Sequence, residues 1–351
     1  MIKDKTVKKA TQTDYAYLVG RIRALENLLL KDNEVERMML AENPADAFKI
    51  LNELDFANNK AGISNPSDFQ KVLNDGLIEI KELLESLIPS NQAAYLLFLD
   101  YDFHNMKTLL KAKLGGKSLE EVSALLSPLG TINTESLAQF IFEEQNVELI
   151  ASKKSDAYIK RIIKEAIDLF HKENENPEVI DLHLDQKMFK IIFNIAKDLN
   201  SPFLVKYVQK LIDLNNIKLF FRMNARNKEL HLFDLAFIWN GTIPFKKFES
   251  VYEDGMSALV DALKSTEYGK LTQTGYEHYK NEKTFISLEK GAEDLLIDTI
   301  RQAKQFAFGV EPVIAYFLAN KNNALAIRMI MINKLNGIDA SEIQKRIRKL
   351  Y

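Results

Sequence analysis

Three observations in the sequence predict an all-α fold made of three similar helical domains. Long apolar stripes recur at spacings of three and four. Gly and Pro are scarce, 13 and 8 of 351 residues, with no strand-like alternation closed by Gly-rich turns. A self-similarity also recurs at an offset of 111 residues, as from Asn105 to Asn216.

The stripes give four long helices in chain order. The first carries Phe69, Val72, Leu73, Leu77, Ile80, Leu84 and Leu87; the second Leu96, Leu99, Phe103, Met106 and Leu110. The third carries Met188, Ile191, Ile192, Ile195 and Leu199, and the fourth Ala292, Leu295, Leu296, Thr299, Ala303 and Phe306. Pro89, Pro202 and Pro312 each divide one stripe from the next, because the ring removes a backbone donor and stops the preceding helix.

The repeat is clearest between Asp102, Asn105, Lys107 and Lys111 and their counterparts Asp213, Asn216, Lys218 and Arg222. Gly130-Thr131-Ile132 returns at the same offset as Gly241-Thr242-Ile243, and Ser155-Asp156 as Thr266-Glu267. A fainter third copy places Ala326-Ile327-Arg328 against Asn216-Ile217-Lys218, and Lys334 to Gly337 against Lys113 to Gly116. The expected division is 1–118 (with the amino-terminal tail), 119–230 and 231–351. Each unit is long enough to bury its own core, so a closed cluster about a pseudo-threefold axis, a cup or funnel, is expected rather than a solenoid.

Composition narrows the function. Lys and Arg number 47 against 49 Asp and Glu, which gives no electrostatic footprint for nucleic acid. No cysteine is present, which removes disulfides, thiolate metal sites and a thiol nucleophile and fits a reducing compartment. The opening Met1 to Lys9 is too charged for a signal peptide. The apolar runs at Ala93–Leu99 and Leu235–Trp239 fall short of the roughly 20 residues that cross a bilayer, so membrane association is expected to be peripheral, through partners.

No motif carries chemistry. Gly115-Gly116-Lys117-Ser118 ends like a phosphate-binding loop, but Lys111 stands where the first Gly belongs. A helix-ending glycine followed by Ser118 as N-cap, with Glu121 completing a capping box, explains it. His104, His171, His183, His231 and His278 show no ligand spacing, and Glu120-Glu121, Glu143-Glu144 and Glu293-Asp294 are adjacent pairs that splay around a helix. Asn240-Gly241-Thr242 matches a glycosylation acceptor by chance. The basic run Lys345, Arg346, Arg348, Lys349 suits either a partner's carboxylates and acidic headgroups or a solvated last turn favoured by the helix dipole. No cofactor and no catalytic role are expected.

Tyr17 to Glu26, Leu97 to Gly116, Asp213 to Arg222 and Ala315 to Gly337 together resemble the C-subunit family of V/A-type ATPases, equivalent to the d-type subunit of the eukaryotic vacuolar enzyme. The Arg-x-Arg-x-x-Glu pattern of that family's opening helix falls on Arg21, Arg23 and Glu26. Its Asp-x-x-Asn-hydrophobic-Lys/Arg pattern falls on Asp102, Asn105, Lys107 and on Asp213, Asn216, Lys218. Repeat three departs from it, with Asn323 and Ala326 in place of Asp and Asn.

The resemblance implies a non-catalytic funnel on the cytoplasmic face of the membrane. It would seat on the proteolipid rotor ring, receive the foot of a central axle made of the D and F subunits, and turn with both during ion transport or ATP synthesis. The paired Asp and Asn residues then either link repeats or touch a partner. Two other readings stay open, an unrelated helical scaffold or adaptor and a helical hydrolase or transferase whose site is assembled across domain junctions.

Overall fold

A computed structural model describes residues 10–54 and 62–351, and the described residues contain helices and no strand. The amino-terminal third holds α1 (Ala16–Leu25), α2 (Asp32–Leu40), α3 (Pro44–Glu53), α4 (Phe69–Leu87) and α5 (Asn91–Leu114). Next come α6 (Leu119–Val122), α7 (Thr134–Phe142), α8 (Lys153–Lys172), α9 (Glu178–Asp198) and α10 (Pro202–Ala225). Then follow α11 (Leu230–Ala236), α12 (Phe245–Glu249), α13 (Met256–Leu263), α14 (Gly269–Glu282), α15 (Ile286–Arg301), α16 (Glu311–Leu335) and α17 (Ala340–Arg346).

Chain breaks fall where backbone chemistry requires them. Ser90 and Ser201 cap α5 and α10, their hydroxyls accepting from the Ala93 and Leu204 amides at 3.3 and 3.2 Å. Pro202 and Pro312 sit in the first turn of α10 and α16, where a missing N–H costs nothing. The fourth stripe departs from expectation: α15 ends at Arg301, Gln302–Gln305 forms a 3-10 turn, and Phe306 is extended. Arg23 is the reason, since its guanidinium donates to the carbonyls of Ala303, Lys304 and Phe306 at 3.2, 3.3 and 2.8 Å and so satisfies oxygens that a continuing helix would use.

The described chain forms two compact units, one from residues 90–262 and the other from 10–89 together with 263–351. In the first, α5 and α10 both pack on α9, with α8 alongside. Leu99, Phe103, Met106, Leu137, Ile162, Ile163 and Leu184 make a continuous core there. α5 is buried on several sides, Phe98, Leu99, Phe103 and Leu109 all being inaccessible, which is why its apolar residues overflow a single stripe. A second cluster joins α10 to α11 and α12. Phe220 meets Phe233 and Tyr252 edge-on at 5.7 and 5.3 Å, a favoured quadrupole arrangement.

In the other unit α16 takes the central place, in contact with α1, α2, α3, α4 and α15, while α14 packs along α15. Phe317, Ile327, Ile330 and Met331 on α16 are inaccessible, as are Ile22, Met38 and Leu51 on the helices around it. Burying each such side chain is worth about 1.5–3 kcal/mol, so the contacts around this helix contribute substantially to the unit's stability.

The three longest helices, α5, α10 and α16, end in one way. After each, a residue in left-handed conformation, Gly116 (φ 70), Asn227 (φ 50) or Gly337 (φ 67), turns the chain back. The next amide then reaches up the helix: Lys117 to the Ala112 carbonyl, Lys228 to Met223 and Ile338 to Asn333, at 2.9, 3.0 and 2.9 Å. Ser118, Glu229 and Asp339 follow at once as N-caps of α6, α11 and α17. At Ser118 a capping box forms with Glu121, so Gly115 to Ser118 is a helix junction, as the sequence indicates.

Candidate functional site

The sequence-selected polar residues of α5 and α10 are inaccessible to solvent: Asp102, Asn105, Asp213 and Asn216 are each 0 % exposed. A buried carboxylate needs several donors. Asp102 receives the amides of Thr131 and Ile132 on Oδ1, at 2.7 and 2.8 Å, and the Thr131 hydroxyl on Oδ2 at 2.6 Å. One turn along, Asn105 accepts from the Ser127 amide at 2.8 Å and donates to its carbonyl at 2.9 Å. Together the two side chains pin the loop between α6 and α7.

In the next repeat the arrangement recurs atom for atom. Asp213 Oδ1 accepts from the amides of Thr242 and Ile243, at 2.9 and 3.0 Å, and Oδ2 from the Thr242 hydroxyl. Asn216 takes the amide of Ile238 at 2.9 Å and donates to its carbonyl at 2.8 Å. Every partner lies 111 residues beyond its counterpart, so the Asp-x-x-Asn motif and the Gly-Thr-Ile motif are the two halves of one clamp. Gly130 and Gly241 are required by it, because a Cβ at either would collide with the aspartate Oδ1.

The third copy is reduced and its loop comes from a distant part of the chain. Asn323, also 0 % exposed, accepts from the Leu30 amide at 3.1 Å and donates to the Ala319 carbonyl at 3.2 Å when its amide is oriented to satisfy both. Leu30 stands two residues before α2 just as Ile132 and Ile243 stand two before α7 and α12. The preceding half of this third loop consists of residues 347–351. Asn322 donates to the Lys349 carbonyl at 2.9 Å, and Arg301 to the Leu350 carbonyl at 2.6 Å.

Cations one step along the long helices reach a neighbouring helix. Lys107 pairs with Asp185 and Lys111 with Asp181, both on α9. Burial raises the Asp185 carboxyl above its usual range, and the adjacent Lys107 partly opposes this. In the other unit Arg328, the counterpart of Lys107, bonds Gln70 on α4 at 2.8 Å, and Gln70 lies 111 residues before Asp181. Lys218 is half-buried on α10.

Of the residues chosen on the opening helix, Arg23 chelates both oxygens of Glu26 at 2.9 Å while holding the three carbonyls after α15. Arg21 is exposed. Sequence reasoning read Thr131 and Thr242 only as marks of the repeat and passed over Asn322 and Leu30. The signal for the threonines was present, since Asp and Gly-Thr-Ile repeat at one offset and therefore keep one separation.

Each of the two clamped loops carries one exposed apolar side chain, while Tyr17 and Leu40 are exposed elsewhere. Trp239, the one tryptophan of the chain, is 55 % exposed beside Asn216's partner Ile238, held upright against Phe237 and Phe245 at 5.1 and 5.8 Å. Leu125, at the head of the first loop, is 61 % exposed. No helix among the described residues is long and apolar enough to cross a membrane.

A family model described as ATP synthase (C/AC39) subunit matches residues 18–346. The C subunit of the A-type ATP synthase of Methanocaldococcus jannaschii is 22% identical over 343 residues, spanning 94% of this chain and 85% of its own length. The C subunit of the V-type ATP synthase of Thermus thermophilus is 25% identical, spanning 95% and 98%. The C subunit of the V-type sodium ATPase of Enterococcus hirae is 24% identical, spanning 81% and 83%.

Proposed function

The chain belongs to the ATP synthase (C/AC39) subunit family, and on that premise we propose that it is a non-catalytic central-stalk subunit of a V/A-type rotary ATPase, joining the axle of the D and F subunits to the proteolipid ring. The observation that carries this reading is the family match over residues 18–346. The same proposal includes three helical repeats, 1–118, 119–230 and 231–351, arranged as a funnel. The twice-built aspartate clamp and the thrice-built helix ending support the repeats.

Such a part transmits torque and performs no bond chemistry, so what it requires is stiffness. Fully bonded buried polar groups tying each loop to a packed helix supply that, because a close-packed interior has low compressibility. The clamps also fix loops whose exposed tips, Leu125 and Trp239, are preorganised apolar anchors of the kind that carry interface energy. The protein is then peripheral, on the cytoplasmic face of the membrane, and bound there through the ring.

The test is a pull-down of the tagged chain from native membranes solubilised in mild detergent, with partners identified by mass spectrometry. Recovery of ring, axle and ATP-hydrolysing subunits is expected. Recovery of the chain with unrelated soluble proteins would instead make it a generic helical scaffold.

A further inference from the structure

Residues 347–351 are bound the way a peptide ligand is bound. They leave α17 in extended conformation, Ile347 having φ −62 and ψ 134. Successive main-chain groups are then read by side chains: the Lys349 amide donates to Asp294 at 2.7 Å, the Lys349 carbonyl accepts from Asn322 at 2.9 Å, and the Leu350 carbonyl accepts from Arg301 at 2.6 Å. The side chains are recognised too. Lys349 reaches Asp298 at 2.6 Å, and Leu350 is only 5 % exposed. Lys304 lies 4.4 Å above the Tyr351 ring, and the Tyr351 hydroxyl donates to Glu26 at 3.3 Å.

The position of this segment matters as much as its contacts. In repeats one and two the loop hung on the Asp and Asn clamp is continuous chain; in the third its two halves are residues 347–351 and Leu29–Lys31, more than 300 positions apart. Both halves line one cleft of about 360 Å³, walled by Leu29, Leu30, Asp32, Lys304, Leu350 and Tyr351, and the Tyr351–Glu26 bond ties the extended segment to the stretch that leads into Leu30.

We propose that residues 347–351 are a releasable strap seated in a peptide groove between α15 and α16, and that the strap holds the segment around Leu30 on α16. The groove selects an extended peptide with a cation, an aliphatic residue and an aromatic in succession. Leaving it would free the third clamp without disturbing the first two.

The test is hydrogen exchange on a chain stopped after Arg346. Amides of residues 26–31 are expected to exchange at least about tenfold faster, since the loss of bonds worth ~1.4 kcal/mol shifts an opening equilibrium by that factor. The loops at 127–132 and 238–243 should keep their rates. A synthetic Ile-Arg-Lys-Leu-Tyr peptide added in trans is expected to restore slow exchange at 26–31, and the same peptide with Asp for Leu is not. Unchanged exchange on truncation, or no rescue by the peptide, overturns the proposal. If the shortened chain does not fold, full-length protein carrying Asp294→Ala and Asp298→Ala, which removes both acceptors of Lys349, replaces it. Faster exchange at 26–31 is again expected there, and wild-type rates overturn the strap.

Discussion

Asp102 and Asp213 concentrate much of the fold's specificity in two atoms each. A carboxylate accepting two amides and a hydroxyl makes charge-assisted bonds, and removing it orphans buried donors at about 1–3 kcal/mol apiece. Asp102→Ala and Asp213→Ala should therefore each cost about 3–5 kcal/mol in urea unfolding, while Thr131→Val should cost about 1 kcal/mol. At Asn323 the intuitive repair goes the wrong way. Its amide donates to the Ala319 carbonyl, so Asn323→Asp would aim a buried charge at an oxygen, and a loss of about 2–4 kcal/mol in the same assay is expected. His183 gives a pH signature. Burial and Lys187 hold its imidazole below the ordinary 6.5, against the pull of Glu165, whose oxygen lies 3.5 Å away. Between the lowered folded value and 6.5 the unfolded chain binds more protons, so stability falls as pH drops through 6.5 and levels off below the folded value. His183→Gln should flatten that slope in unfolding titrations from about pH 7.5 to 5.

The helix endings make a sharper test of the repeat than the core does. Gly116→Ala and Gly337→Ala force a Cβ into left-handed backbone and should each lower stability by about 1–2 kcal/mol, whereas Asn227→Gly relieves the same strain and should be neutral or mildly stabilising; thermal melts distinguish these. Most of this level was legible in the sequence. The stripes of α4, α5 and α9, the proline breaks and the Gly115–Ser118 junction follow from spacing and backbone chemistry that act within a few residues. What stayed hidden involves partners brought from far along the chain. Arg23 ends α15 from about 280 positions away, and Asn323 holds an amide in the amino-terminal segment. The burial of Asp102 and Asn105 does not show in either motif alone, because a polar residue on a helix looks solvated until the loop that supplies its donors is in place. Two recurring motifs at one offset contained the answer, and joining them required only that an aspartate and a Gly-Thr-Ile turn be read as a pair.

At the scale of the molecule, the unit built from residues 10–89 and 263–351 should respond as one body to a single cavity. Ile327→Ala removes an inaccessible side chain of α16 and should cost about 2–5 kcal/mol; exchange in α1 to α4 is expected to rise together with that in α15 and α16, while helices within 90–262 keep their protection. The discontinuity of this unit also orders events in time. As the chain is made, residues 10–89 emerge with their apolar faces complete but without α16 to cover them, and all of residues 90–262 must be synthesised before the covering helix begins to appear. Because α16 begins only at Glu311, about 221 residues intervene after residue 89; at ~5–20 residues per second that interval is about 11–44 s, long against microsecond collapse, and the intervening unit can close on itself meanwhile. The first-made segment thus spends its early life as a client awaiting its own far end, with the faces of Val35, Met38, Phe48 and Leu51 left without their final cover until it arrives.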